Sequence, residues 1–235
     1  MINWAEEWSS FYKQFITLGG YKRLFDGLIA TVEIAVFGLA IGIIIGILIA
    51  IVAVMPRYKL LPKILDKICK VYVAIFRGTP MVVQLLVGHY LLVPLLGVNV
   101  SGVFEAVIIF GLNSGAYVSE IMRSGIQSVD AGQLEAGRAL GLSFWSAMGK
   151  IVIPQSIKNI LPTLGNEFIS LIKETSVVSF IAITDLTKAL KLIGDATYHY
   201  FMPYIMLALI YLVIVLLITW GIKVMERRLA RSDRK

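Results

Sequence analysis

Charge, cysteine and histidine are scarce in this chain, and the usual catalytic and nucleotide-binding signatures are missing. Only 16% of its 235 residues are Asp, Glu, Lys or Arg, against about a quarter in ordinary soluble domains. The single cysteine, Cys69, excludes an internal disulfide framework and any CxxC metal or redox pair. His89 and His199 are the only histidines, and neither has an acidic or cysteine companion at ligand spacing, so no metal site is expected. HExxH, GxSxG and Cys/His nucleophile patterns do not occur. The phosphate-cradling GxxxxGK(S/T) loop is also absent, since Gly149-Lys150 runs on to Ile151 and lacks the upstream glycine. The chain therefore does not read as an enzyme, and it holds no nucleotide of its own.

What the sequence has instead is length of apolar run. Hydrophobic residues make up 58% of the chain, and Leu28 to Val54 is a block of 27 residues with one charge, Glu33. A membrane span needs about 20 such residues, and no soluble core helix explains a block of this kind. Five hydrophobic segments can be read: 25–55, 71–96, 103–122, 160–183 and 201–225. Arg77-Gly78-Thr79-Pro80 interrupts the second. Their apolarity runs all round rather than along one face, as lipid demands. The expected fold is all-α, a polytopic membrane protein of about five transmembrane helices forming one domain over 1–235. Glu6 and Glu7 in the first 20 residues, and the length of the first block, argue against a cleaved leader.

The net charge of +7 is placed so as to orient the chain in a bilayer rather than to bind nucleic acid. Segment 56–70 holds Arg57, Lys59, Lys63, Lys67 and Lys70. Segment 123–158 holds Arg123, Arg138, Lys150 and Lys158, and the tail holds Lys223, Arg227, Arg228, Arg231, Arg234 and Lys235. These three alternate segments carry most of the 22 Lys and Arg residues. By the positive-inside rule the N-terminus is outside and the C-terminus cytoplasmic.

The loop at about 126–158 is too polar to span and too patterned to be slack. Asp130 reads as a helix N-cap with Gln133 as its capping-box partner, Glu135 and Ala136 continue the helix, and Gly141 stops it. Ser143 caps a second short helix running toward Pro154. The result is a compact knob, either a docking device or an amphipathic hairpin lying on the membrane surface. Gly38, Gly42 and Gly46 form a GxxxG face suited to close helix packing.

Charges inside spans are costly and need partners or water. Asn166, Glu167, Ser170, Lys173 and Glu174 form one stripe on segment four, and Asn113, Tyr117 and Glu120 form another on segment three. Arg77 and Gln84 share a face of segment two, with Pro80 between them expected to break the helix and free carbonyls. These residues read either as a shared aqueous path or as packing features, with ion pairs such as Lys173 with Glu174 or Glu120 with Arg123. A gate made of an ion pair satisfies both readings. Glu33 stands alone early in segment one, either functional or near the outer interface.

Several motifs carry a resemblance. Glu135, Ala136, Gly141, Ile151 and Pro154 resemble the EAA-x3-G-x9-I-x-LP loop of binding-protein-dependent ABC permeases, with Gly137 and Ile153 as departures. Arg77-Gly78-Thr79-Pro80 with Gln84 resembles the RGTP-x3-Q signature of polar amino-acid permeases, the histidine/glutamine/arginine permease family. Ala116-Tyr117, Glu120-Ile121, Arg123, Leu161-Pro162, Gly165-Asn166 and Lys173-Glu174-Thr175-Ser176 continue the likeness over about 27–186. The resemblance implies a transmembrane permease subunit in the cytoplasmic membrane of a prokaryote. Implied partners are a second permease subunit, two cytoplasmic ATP-binding subunits that bind ATP and Mg, and an extracytoplasmic solute-binding protein. The implied cargo is an amino acid. Alternatives are another small polar solute or an ATP-independent channel. The paired signs suit a zwitterion, with Glu120, Glu167 and Glu174 toward its ammonium and Lys173 and Arg77 toward its carboxylate. Lys173 beside Glu174 reads rather as part of a gate.

Overall fold

A computed structural model describes residues 4–55 and 60–232. Of the basic residues named above, Arg57, Lys59, Arg234 and Lys235 lie outside these, as does the side chain of Arg231. The described residues are helical with short connections and contain no strand. The chain opens with α1 (Trp4–Tyr12), continued by a π-turn over Lys13–Thr17. It continues through α2 (Gly20–Val54), α3 (Leu60–Gly78), α4 (Met81–Val87), α5 (Val93–Leu96) and α6 (Gly102–Gln127). After these come α7 (Ala131–Ala139), α8 (Phe144–Ala147), α9 (Ile153–Glu174), α10 (Leu186–Thr197) and α11 (Phe201–Ser232).

Each boundary has a local cause. Ser101 accepts a hydrogen bond from the Phe104 N–H and starts α6. Asp185 does the same for α10 through the Thr187 and Lys188 N–H groups. Gly97 ends α5 at a φ of 63°. Pro56 follows α2 in sequence and pushes Met55 to extended backbone.

Glycine sets the core. A Cβ on Gly38 would lie 3.1 Å from Phe110 Cβ, one on Gly42 2.7 Å from Ser114 Cβ, and one on Gly46 2.5 Å from Val118 Cγ1. The GxxxG face therefore packs on α6, and the matching order makes the two helices run in the same direction. Gly111 and Gly115 return the fit against Ile41 and Ile45. The chain must come back between them, and α3 to α5 do so. α9 crosses α6 in the opposite sense, with Ile160 against Gly125 and Glu167 beside Ser114. Ile34, Phe110, Leu171 and Ile172 close the core at one end, and Val118, Ile160 and Leu164 at the other.

Two expectations need correction. Three helices, α2, α6 and the stretch Phe201–Leu229 of α11, are long and apolar enough to cross a membrane. A fourth is added if Leu60–Gly78 and Met81–Leu96 count as one span, and these two are bent by 107°. The fourth segment read from sequence falls short, because α9 carries the whole polar stripe that lowers its hydropathy. Nor is the second short helix of the loop separate. Backbone helix runs without a break from Phe144 to Glu174, and a π-turn over Met148–Val152 absorbs the missing N–H of Pro154.

Candidate functional site

The site begins with a broken hydrogen-bond ladder. Proline has no N–H, so Pro80 cannot donate to the Phe76 carbonyl four residues back. In place of that bond, Gln84 Nε2 donates to Phe76 O at 2.8 Å and to Thr79 O at 3.0 Å. Thr79 Oγ1 accepts from the same nitrogen at 2.9 Å and donates to Ile75 O at 2.8 Å. Asn113 of α6 donates to Gln84 Oε1 at 2.9 Å and reaches Phe76 O at 3.5 Å. The break in segment two is thus held open and satisfied by polar side chains, two of which the sequence singled out.

One and two turns further along α6, the stripe meets Arg77. The guanidinium sits 5.5 Å over the Tyr117 ring and 3.5 Å from Glu120 Oε2. Arg123 grips the same carboxylate with two nitrogens, at 2.6 and 3.2 Å. Two cations on one anion leave the cluster with a net positive charge. Arg77, Gln84, Asn113, Tyr117 and Glu120 therefore form one continuous site along the bend. Beside it a cavity of about 520 Å³ opens between α2, α3 and α6, lined by Asp66, Cys69, Lys70, Glu120, Arg123 and Gln127 on its polar side.

The α9 stripe is divided. Glu167 is half-buried and accepts from Ser114 Oγ at 3.0 Å, so it adjoins the site through the α6 residue next to Asn113. Asn166, Lys173 and Glu174 are exposed, and Ser170 is half-buried. Among the described residues, none of these four hydrogen-bonds or ion-pairs with the α6 stripe. Lys173 and Glu174 form no ion pair among the described residues, whereas the alternative pair, Glu120 with Arg123, is made. Glu33 is exposed, about three and a half turns into α2 rather than at its start.

Asp130 and Ser143 cap the two helices of the knob as read from sequence, while Gln133 makes no capping-box bond back to Asp130 among the described residues. Asp130 Oδ1 accepts from the Gly132 N–H at 2.7 Å, and Ser143 Oγ accepts from the Ser146 N–H at 3.2 Å. Gly141 has a φ of +86°, the left-handed region that glycine tolerates. Gly137, a departure from the motif, is buried. A Cβ there would come 2.7 Å from Ile151 Cδ1, so the isoleucine fills the place of the missing methyl. Asp130, Gln133, Glu135, Ala136, Gly141 and Pro154 are all exposed, and Leu140 (85%) and Trp145 (51%) stand out beside them.

Sequence spacing missed Ser114 and Thr79, which are small hydroxyl residues with no periodic signal. It also missed two carboxylate partners for histidine. His89 Nδ1 lies 2.8 Å from Glu105 Oε2, and His199 Nδ1 lies 2.8 Å from Glu7 Oε1. These pairs are 16 and 192 residues apart in sequence, so spacing could not reveal them. Among the described residues, no group of three or more His, Cys, Asp or Glu comes together as a metal site would require.

Comparison with known proteins places this geometry. Residues 28–231 match the family described as binding-protein-dependent transport system inner membrane component. The arginine transport system permease protein ArtQ of Bacillus subtilis (strain 168) is 40% identical over 222 residues, covering 89% of this chain and 94% of the relative. The L-cystine transport system permease protein TcyL of the same organism is 31% identical over 214 residues, covering 88% and 89%. A chain in the crystal structure of an amino acid ABC transporter with histidines superposes with a TM-score of 0.82 at 40% identity, covering 91% of this chain and 98% of that one. The inward-facing MetNI methionine ABC transporter, at 16% identity and a TM-score of 0.71 over 88% and 95% of the two chains, shares the fold. This chain is a multi-pass membrane protein and belongs to the binding-protein-dependent transport system inner membrane component family.

Proposed function

We propose that the chain is the permease subunit of an ATP-driven importer that carries an amino acid across the cytoplasmic membrane. Two permease subunits, two separate ATPase subunits that bind ATP and Mg, and an extracytoplasmic solute-binding protein complete the system. The observation that carries this reading is the unbroken helix from Phe144 to Glu174. It begins at the exposed corner formed by Gly141 and Ser143 and ends beyond Glu167. A force applied at the corner is transmitted along α9 to the Glu167–Ser114 contact at the edge of the path. An ATP-independent channel has no use for such a lever, and the family match also speaks against it.

The end of the bundle that bears the corner also bears Lys63, Lys67, Lys150 and Arg227, so it is the cytoplasmic end. Cys69 of α3 accordingly lies toward the cytoplasm, and a membrane-impermeant thiol reagent should not label it in intact cells. Within the path, the net positive Arg77–Glu120–Arg123 cluster offers a guanidinium to the carboxylate of the solute. Glu120 and Glu167 offer acceptors to its ammonium. Asn166, Lys173 and Glu174 are polar and exposed on a single protomer, which supports a second permease subunit covering them. Lys173 and Glu174 then serve as gate residues at that seam.

Gly141→Leu tests the coupling. The left-handed backbone costs a non-glycine residue about 1–2 kcal/mol, while no neighbouring atom lies within contact of a Cβ at this position. The spans should insert normally, and solute-stimulated ATP hydrolysis should be lost. Wild-type transport and stimulated hydrolysis in this variant would refute the docking assignment.

A further inference from the structure

The family match begins at residue 28, so the shared permease body leaves α1 without an assigned role. This helix is amphipathic. Trp4, Trp8 and Tyr12 recur every four residues and are exposed by 55%, 57% and 52%. Glu6, Ser9 and Lys13 are exposed on the other side. Glu7 faces inward, its Oε1 accepting from His199 Nδ1 at 2.8 Å, while Trp4 meets Phe201 edge-on with ring centroids 4.7 Å apart. The helix is thereby clipped to the connection between α10 and α11.

Its position relative to the bilayer follows from connectivity. Only Leu18 and Gly19 separate the π-turn from α2, and Gly20 packs directly under Gln14 and Ile193. α1 therefore cannot leave the point where the long apolar helix α2 begins. Its aromatic face continues into Tyr21 and Phe25, which are also exposed and belong to the membrane-crossing surface of α2. Tyr198 on the connection to which α1 is clipped and Tyr204 in the first turn of α11 are also exposed. Rings with one apolar and one polar end, gathered at one level of a membrane protein, suit the boundary between headgroups and acyl chains.

We infer that α1 is an interfacial helix whose Trp4–Trp8–Tyr12 face binds the lipid headgroup boundary, at the end of the bundle opposite the Gly141 corner. Glu7–His199 sets the rotation that turns this face outward. A bilayer is favoured over a protein partner because the face is continuous with the lipid-crossing surface of α2, and its charged side is turned the other way.

The test uses the full-length chain in phosphatidylcholine vesicles. The four tryptophans are Trp4, Trp8, Trp145 and Trp220, and replacing all but Trp8 with Phe isolates one reporter while keeping a ring at Trp4. Lipids brominated just below the headgroup should quench Trp8 emission more strongly than lipids brominated near the chain ends, and aqueous iodide should quench it little. His199→Ala in the same background should weaken the shallow-lipid quenching and increase the iodide quenching. Strong iodide quenching with none from lipid would place Trp8 in water and overturn the proposal. Protection from both quenchers would mean that the face is covered by protein, a second copy of this chain, and would overturn it equally.

Discussion

α6 has two working faces, and they are built on opposite principles. One carries Phe110, Ser114 and Val118 against Gly38, Gly42 and Gly46 of α2, with no room for a methyl group. The other carries Asn113, Tyr117 and Glu120 against Gln84 and Arg77, joined by hydrogen bonds and ion pairs with a cavity alongside. Shape holds the first face, and closely packed interiors have few alternative arrangements. Exchangeable polar contacts hold the second, and a solute bearing its own charges can compete for them. On the proposed function, the stiff seam keeps the helix in place and the replaceable one passes the cargo. Ser114 ties the stiff face to α9, because it lies under Gly42 and donates to Glu167.

The largest expected effect is on the stiff face. Gly42→Leu puts a side chain where even a Cβ meets Ser114, and overpacking of this kind costs about 1–3 kcal/mol or more. Size-exclusion chromatography of the solubilised protein should show loss of most of the monodisperse peak. Gly221→Leu, at a glycine with nothing within 4 Å of its Cβ position, should elute as wild type. Equal behaviour of the two would remove the distinction between the faces.

Next is the hydrogen-bonded end of the replaceable face. Gln84→Leu leaves the half-buried Phe76 carbonyl only the 3.5 Å approach of Asn113 Nδ2, and an under-satisfied polar group of this kind costs about 1–3 kcal/mol. The protein should fold with a lowered melting temperature and transport poorly. Combined with Asn113→Leu, the loss should be smaller than the sum, because the two side chains share one network. Strict additivity would show that they act apart.

A smaller stability effect belongs to Glu120→Gln. Its ion pairs with Arg77 and Arg123 are partly exposed, and such pairs contribute about 0.2–1 kcal/mol. The melting temperature should hardly move, while solute flux in reconstituted vesicles should fall. A stability loss as large as that of Gln84→Leu would make this cluster structural. The smallest change in the folded protein is expected from Lys173→Met, since the residue is exposed and unpaired among the described residues. Basal ATP hydrolysis by the assembled transporter should rise if Lys173 closes a gate. Wild-type values for both this variant and Glu174→Gln would reduce the α9 stripe to a packing seam.

Much of this was legible in the residues. Gly38, Gly42 and Gly46 at four-residue intervals announced a close helix contact, though not that α6 would be the partner. Pro80 announced a break, with Gln84 singled out on the same segment and Asn113 on the polar stripe of the next. Their mutual bond was not visible, because Gln84 and Asn113 are 29 residues apart in sequence. The α9 stripe read as one line on a helical wheel, yet among the described residues only Glu167 of that stripe hydrogen-bonds to α6. The reason is that Ile169, Leu171 and Ile172 take the core positions and fix the helix's rotation. The loop's second helix reads from sequence as a short one running toward Pro154, whereas a π-turn over Met148–Val152 lets it run on into α9.

Composition and hydropathy alone determined that the chain is helical, crosses a membrane and carries a basic end. Those properties are sums over residues and need no partner. Which carboxylate meets which cation, which glycine lies under which side chain, and that one continuous helix leads from beside the Gly141 corner to Glu167 were decided only by tertiary structure. They depend on distances between residues far apart in sequence, and only packing of the helices against one another fixes these.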